Sequence, residues 1–204
     1  MTEFEFSADA LCLDLANTWG NRQEETDDRL SCYGDLVQWA QQAGIVDESG
    51  GRRLQQRAIR HPSEAEEAFA MAVRLRDVVF RSCSAAATGR SPDDSDLEIL
   101  NRWLARVPRR RLRRGAGCCQ WEWAEEENDL RRVMWPVLRS LGELLTSTEV
   151  KRIRECQAPD CSWLFLDTSR GGRRKWCDMS VCGNRAKARR YYARHRGTTE
   201  RARA

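Results

Sequence analysis

Four cysteines in the last third of the chain carry its clearest chemistry. Four residues separate Cys156 from Cys161, four separate Cys177 from Cys182, and fifteen lie between the pairs. Thiolates bind borderline-soft metals, and a structural zinc takes four such ligands as a tetrahedron. A tight turn brings two cysteines at this spacing onto one ion, and Pro159-Asp160 inside the first pair favours such a turn. Two turns supply four ligands, so the spacing predicts one structural Zn2+ on Cys156, Cys161, Cys177 and Cys182. Iron–sulfur ligation, four buried thiols or a redox pair are the competing readings. Zinc contributes on the order of 10 kcal/mol to the folding of such a module.

A cationic run follows the second pair. On a helix from Gly183 to Arg196, Lys187, Arg190 and Arg194 share one stripe, and Arg185, Arg189 and Arg196 another. Ala188, Tyr191, Tyr192 and His195 fall on a third side, suited to packing against the module's own hairpin. Arg173, Arg174 and Lys175 add charge from a separate strand. Arg173, Arg174, Lys175, Arg185, Lys187, Arg189, Arg190 and Arg194 are therefore the candidate nucleic-acid contacts. The bland alternatives are a solvated charged helix, or one docked on the acidic remainder of the chain. DNA is the expected partner, with RNA or a protein partner in an adaptor role as alternatives. A single small finger covers few base pairs, so a homodimer or a further partner is expected for specific binding.

Asn17, Thr18 and Arg22 form the main polar cluster outside the finger. They suit either a pocket for a small-molecule effector or helix capping and loop fixing. Cys12, Cys32, Cys83, Cys118 and Cys119 read most simply as buried thiols, with redox sensing by the vicinal Cys118-Cys119 pair as the alternative. No catalytic function is expected. His61 and His195 are the only histidines and sit in unrelated contexts, and no phosphate loop, nucleophile elbow or zinc-hydrolase motif is present. A four-cysteine zinc also leaves no open coordination position.

The elements that position these residues are mostly helical. Phe4–Phe6 reads as a short strand, with Ser7 capping a helix that places Ala8, Leu11, Leu15 and Thr18 on one face. A second helix centres on Leu36, Val37, Trp39 and Ala40 and stops at Gly44. A third runs from Glu48 to Arg60 and is broken by Pro62. Ser63 and Glu66 read as a capping box for a long amphipathic helix that ends near Gly89. Ser91-Pro92 and Asp94 open the next, ended by Pro108. Alternation around Gly115-Ala116-Gly117 predicts a β-hairpin over Arg111–Trp123. The acidic run Glu125–Glu127 leads into a helix over Asp129–Leu145, where Pro136 predicts a kink or split. Between the cysteine pairs, Trp163–Asp167 and Arg173–Trp176 read as two strands reversing at Arg170-Gly171-Gly172. Knuckle, hairpin, knuckle and helix in that order resemble a treble clef.

With 204 residues, 41% of them hydrophobic and eight tryptophans, the chain can bury a core. The net charge of +4 conceals an asymmetry. Residues 1–150 hold 20 Lys+Arg against 26 Asp+Glu, and residues 151–204 hold 15 against 5, nets of −6 and +10. A basic module behind an acidic body places polyanion binding in the module. The expected organisation is mainly α (α+β). A helical regulatory, ligand-sensing domain with a small β-hairpin spans 1–148, and a treble-clef-like zinc finger spans 149–204. The acidic start, Met1–Ala10, does not read as a leader, and no apolar run reaches the length of a membrane span, so a reducing cytoplasm is expected and no membrane partner.

Cys182-Gly183-Asn184-Arg185, with Phe165–Asp167, Arg173–Cys177 and Lys187–Arg196 around it, resembles the CGNR zinc-finger family. Leu11–Arg22 resembles the domain that commonly precedes that finger, described as a putative stress-induced transcription regulator. The resemblance implies that the four cysteines are zinc ligands, that the finger binds DNA, and that the chain acts in stress-responsive transcription.

Overall fold

The computed structural model describes residues 2–22, 24, 27–115, 117–124 and 129–201, the last six by their backbone alone. Seven helices and two small antiparallel sheets are present among them. The expected mainly-α architecture with small β elements is what forms.

Helix α4 (Pro62–Ala87) organises the body. Ala65, Ala68, Ala72, Leu75, Val78, Val79 and Cys83 recur at three- and four-residue spacing and are buried, giving one apolar stripe. Against it pack α1 (Leu11–Ala16), α2 (Tyr33–Gln42), α3 (Glu48–Arg60) and α5 (Asp94–Leu104). Pro136 splits the last body helix as its missing N–H dictates: a 3-10 turn covers Leu130–Met134, and α6 (Trp135–Thr146) restarts with the proline in its first turn. Gly44 and Gly89 take positive φ of 71° and 76°, just past the ends of α2 and α4.

Three local expectations fail. Phe4–Phe6 is extended but unpaired with any strand; Phe4 is buried and its N–H is satisfied by Gln42 Oε1 (2.9 Å). Helix α1 starts late, because Asp9 adopts φ 61° and the Asp14 carboxylate accepts from Ala8 N, so Ser7 caps nothing there. The Ser63–Glu66 capping box is absent. Pro62, with its preset φ, begins α4 directly, and the nearby Glu64 binds Arg57 (3.0 Å).

Strands β1 (Arg110–Arg114) and β2 (Cys119–Trp123) form the expected hairpin, pairing Arg110 with Trp123, Leu112 with Trp121 and Arg114 with Cys119. Gly117 turns it at φ 92°; Ala116 and the acidic run Glu125–Glu127 lie outside the described residues.

The second sheet is not the pair expected. Strand β4 (Leu164–Leu166) pairs with β3 (Ile153–Glu155), which precedes the first cysteine, while 173–176 is no strand. The cause is Asp167. Its buried carboxylate accepts from Ser169 N (3.1 Å) and Arg174 N (3.0 Å), so the returning segment hangs from a side chain rather than a ladder. Alternation along β4 then divides its residues between two cores. Leu164 and Leu166 join Ile153 in the body's core, whereas Phe165 points into a small cluster with Cys156, Ala158, Trp163, Cys177 and Cys182.

Candidate metal centre and nucleic-acid interface

Each knuckle is set by its own backbone bonds. Cys156 N donates to Trp163 O (2.9 Å) and Cys161 N to Ala158 O (3.2 Å), closing the first turn. Gln157 N reaches Lys175 O (3.0 Å), which brings the second pair alongside. Asp178 accepts from Ser180 N (2.5 Å) and Val181 N (3.1 Å), fixing a π-turn over Met179–Gly183 that carries Cys182, and α7 (Asn184–Arg201) starts from it.

The four sulfurs lie within 4.8 Å of one another. Cys161 and Cys177 are 3.7 Å apart and Cys177 and Cys182 3.6 Å. A disulfide requires about 2.0 Å. A zinc tetrahedron with bonds of about 2.3 Å has edges of about 3.8 Å, which these separations fit. Cys156, Cys177 and Cys182 are buried and Cys161 half-buried. Arg185 Nη2 donates to Cys182 Sγ (3.1 Å), spreading thiolate charge from outside the ligand set. The site is closed, and its role is to hold one structural zinc.

The structure places the candidate cations in three settings. Arg185 and Arg189 both bind Asp160, in the turn of the first knuckle, at 3.0 Å. That pairing, led by Arg189, holds the Asp160 carboxyl below its ordinary value, and the bond to Cys182 raises Arg185. Arg174 turns inward over Phe165 (4.5 Å), donating to Cys177 O, Trp176 O (3.0 Å), Ser7 O (3.2 Å) and Asp9 Oδ2 (3.3 Å). Arg173, Lys175, Lys187, Arg190 and Arg194 are exposed. The side chain of Arg196 lies outside the described residues. The aromatic side of α7 does not pack on the hairpin as expected. Tyr191 and Tyr192 remain 58% and 65% exposed, and Tyr191 stacks on His195 (4.0 Å). The helix packs chiefly against its own π-turn.

Asn17, Thr18 and Arg22 sit at the seam between body and finger. The buried Asn17 side chain donates to Leu164 O and accepts from Leu164 N, both at 2.9 Å, clamping one peptide of β4. Thr18 Oγ1 donates to Leu15 O (2.8 Å). Arg22 pairs with Asp77 (2.9 Å) and lies over Phe80 (4.0 Å) and Trp19 (5.0 Å), while its N–H reaches Ser162 Oγ (3.3 Å). Leu166 N to Ala8 O (3.0 Å) and Ser162 N to Gly20 O (3.1 Å) extend the seam. Sequence reasoning read Asp160 only as a turn residue and missed its pairing with Arg185 and Arg189, the role of Asp167 and the clamp on Leu164. An acid inside a C-x4-C knuckle that precedes an arginine-rich helix was a usable signal for Asp160. The Asn17 clamp, 147 residues apart in sequence, had none. Cys12 and Cys83 are buried as expected, but Cys32, Cys118 and Cys119 are exposed, the last two because the hairpin tip stands off the core.

No helix among the described residues is long and apolar enough to cross a membrane. Residues 152–195 match the family described as CGNR zinc finger, and residues 9–148 match the one described as putative stress-induced transcription regulator. No curated protein matches the chain. With that second match spanning most of its length and the finger following it, the chain belongs to the family described as putative stress-induced transcription regulators and carries a zinc-binding CGNR finger.

Proposed function

We propose that the protein is a transcription regulator that contacts DNA through α7, with the helical body as its regulatory part. The observation that carries this reading is the rooting of α7. Its first turn is tied to the metal centre by Arg185 on Cys182, while Lys187, Arg190 and Arg194 share an exposed stripe farther along. A cationic helix on a metal-rigidified base presents its charges in fixed positions, as phosphate contact requires. Asp160 holds Arg185 and Arg189 at the root, so the outer stripe makes the first contact. A four-thiolate zinc with no open position suits a binding protein rather than an enzyme. Any effector that shifts the body reaches the finger through the Asn17–Leu164 seam.

The test is duplex-DNA binding by the zinc-loaded protein at low salt. The triple variant Lys187→Ala, Arg190→Ala, Arg194→Ala should lose binding while keeping one zinc per chain. Undiminished binding by that variant would rule out α7 as the contact, and no retention of the wild type on duplex DNA would favour a protein-interaction adaptor.

A further inference from the structure

The β1–β2 hairpin carries chemistry that the finger does not use. Arginines occupy five of the six positions from 109 to 114. One face of the hairpin holds Arg110, Leu112, Arg114, Cys119, Trp121 and Trp123, and the other Arg111, Arg113, Gln120 and Glu122. At the base, Trp123 meets Trp135 of the body edge-on (5.5 Å). Farther out on the same face, Trp121 is 59% and Leu112 61% exposed. The Arg110 guanidinium lies over the indoles of Trp121 and Trp123 (4.8 and 5.7 Å), and its buried Nε has no acceptor among the described residues. Between this face and α6 runs a groove of about 700 Å3 lined by Arg109, Arg110, Trp121, Trp123 and Arg139.

We propose that this groove is a second nucleic-acid site, which takes an unpaired strand with a base stacked on Trp121 and phosphates against Arg109, Arg110 and Arg114. Exposed indole surface among arginines is how single strands are held, because every base offers a π-face and every step a phosphate. Charge selects this occupant. The hairpin tip, from Arg111 to Cys119, holds three arginines and no acid. Glu122 is already shared by Arg111 (3.2 Å) and Arg113 (3.5 Å), and Glu143 in the groove by Arg139 (2.7 Å). The acidic run Glu125–Glu127 follows the second strand in sequence. A second copy pairing along β1 would set two arginine rows side by side.

The experiment uses zinc-loaded full-length protein and two fluorescein-labelled probes, an oligothymidylate of about 20 nucleotides, long enough for a stacking site, and a duplex of equal length. Trp121→Ala should weaken oligothymidylate binding about tenfold, and Arg109→Glu with Arg114→Glu should abolish it, from the worth of one stacked base and of the phosphate contacts. Both variants should bind the duplex within about twofold of wild type. The α7 triple variant should behave in the opposite way, losing the duplex and keeping the oligothymidylate. That pattern separates this site from the finger: either can fail while the other stands. The proposal is overturned if wild type does not bind the oligothymidylate at low salt, or if Trp121→Ala leaves that affinity unchanged. Loss confined to the duplex would also overturn it. So would a change only in self-association by sedimentation, which would assign the hairpin to a second copy.

Discussion

In the body, buried apolar side chains from five other helices close around α4, and burial alone is enough to order them. In the finger the corresponding cluster is six buried residues, three of them cysteines. A cluster that small does not hold a fold without a staple, and the metal supplies it. The difference shows which part of the molecule depends on its chemical surroundings. The body's order is set by solvent exclusion, whereas the finger's varies with zinc. Strand β4 joins them, with Leu164 and Leu166 in one core and Phe165 in the other.

The sharpest break of that contrast is to remove a ligand. Cys177→Ser should abolish zinc stoichiometry and remove a contribution on the order of 10 kcal/mol from the finger. Amide exchange should become fast over 156–183 while the far-UV helical signal of the body persists. The reciprocal change is Leu75→Ala, at a fully buried position of α4. It should cost about 3 kcal/mol in denaturant unfolding and leave one zinc per chain. If each change unfolds both regions equally, the contrast is wrong and the chain is one cooperative unit.

The seam comes next in size. Asn17→Ala leaves the buried N–H and C=O of Leu164 without their partners, a loss of about 2 kcal/mol. Because the clamp spans both regions, zinc affinity and the body's unfolding midpoint should fall together. A change in only one would show that the seam does not couple them.

A smaller effect concerns Asp14, at the body end of the same seam. Burial, opposed by the bond from Ala8 N and aided by Asp9, raises its carboxyl from 3.8 to about 6. The folded state therefore holds the proton more tightly than the unfolded state. Its contribution is fully present below pH 3.8 and is lost as pH rises through about 6. Asp14→Asn keeps an acceptor for Ala8 and cannot ionise. Its stability relative to wild type should grow by about 3 kcal/mol as pH rises through that window, read from urea midpoints. A constant difference would mean that Asp14 ionises normally.

Much of this could be read from residue order because its causes are local. Glycines after α2 and α4, Pro136 inside the last body helix, and the two C-x4-C pairs act on their neighbours whatever the rest of the chain does. The partner of β4 could not be read that way. Arg173–Trp176 and Ile153–Glu155 are both plausible strands, and the choice falls to the Asp167 carboxylate and to an apolar face waiting in the body. The polar cluster Asn17, Thr18 and Arg22 was legible as a cluster, but its partners Leu164 and Asp77 are distant in sequence. The exposed tyrosines of α7 depend on the angle at which the helix leaves the π-turn, a tertiary property that helical periodicity does not encode.

The central claim is that zinc orders a helix whose outer cations meet DNA. It is tested most directly by the salt dependence of duplex affinity for the zinc-loaded protein. Three phosphate contacts from Lys187, Arg190 and Arg194 predict a slope of log K against log salt of about −2.7, at about −0.9 per contact. The slope should fall by about 0.9 with each of the three replaced by alanine. Binding with no salt dependence, or a slope unmoved by all three replacements, would contradict the account.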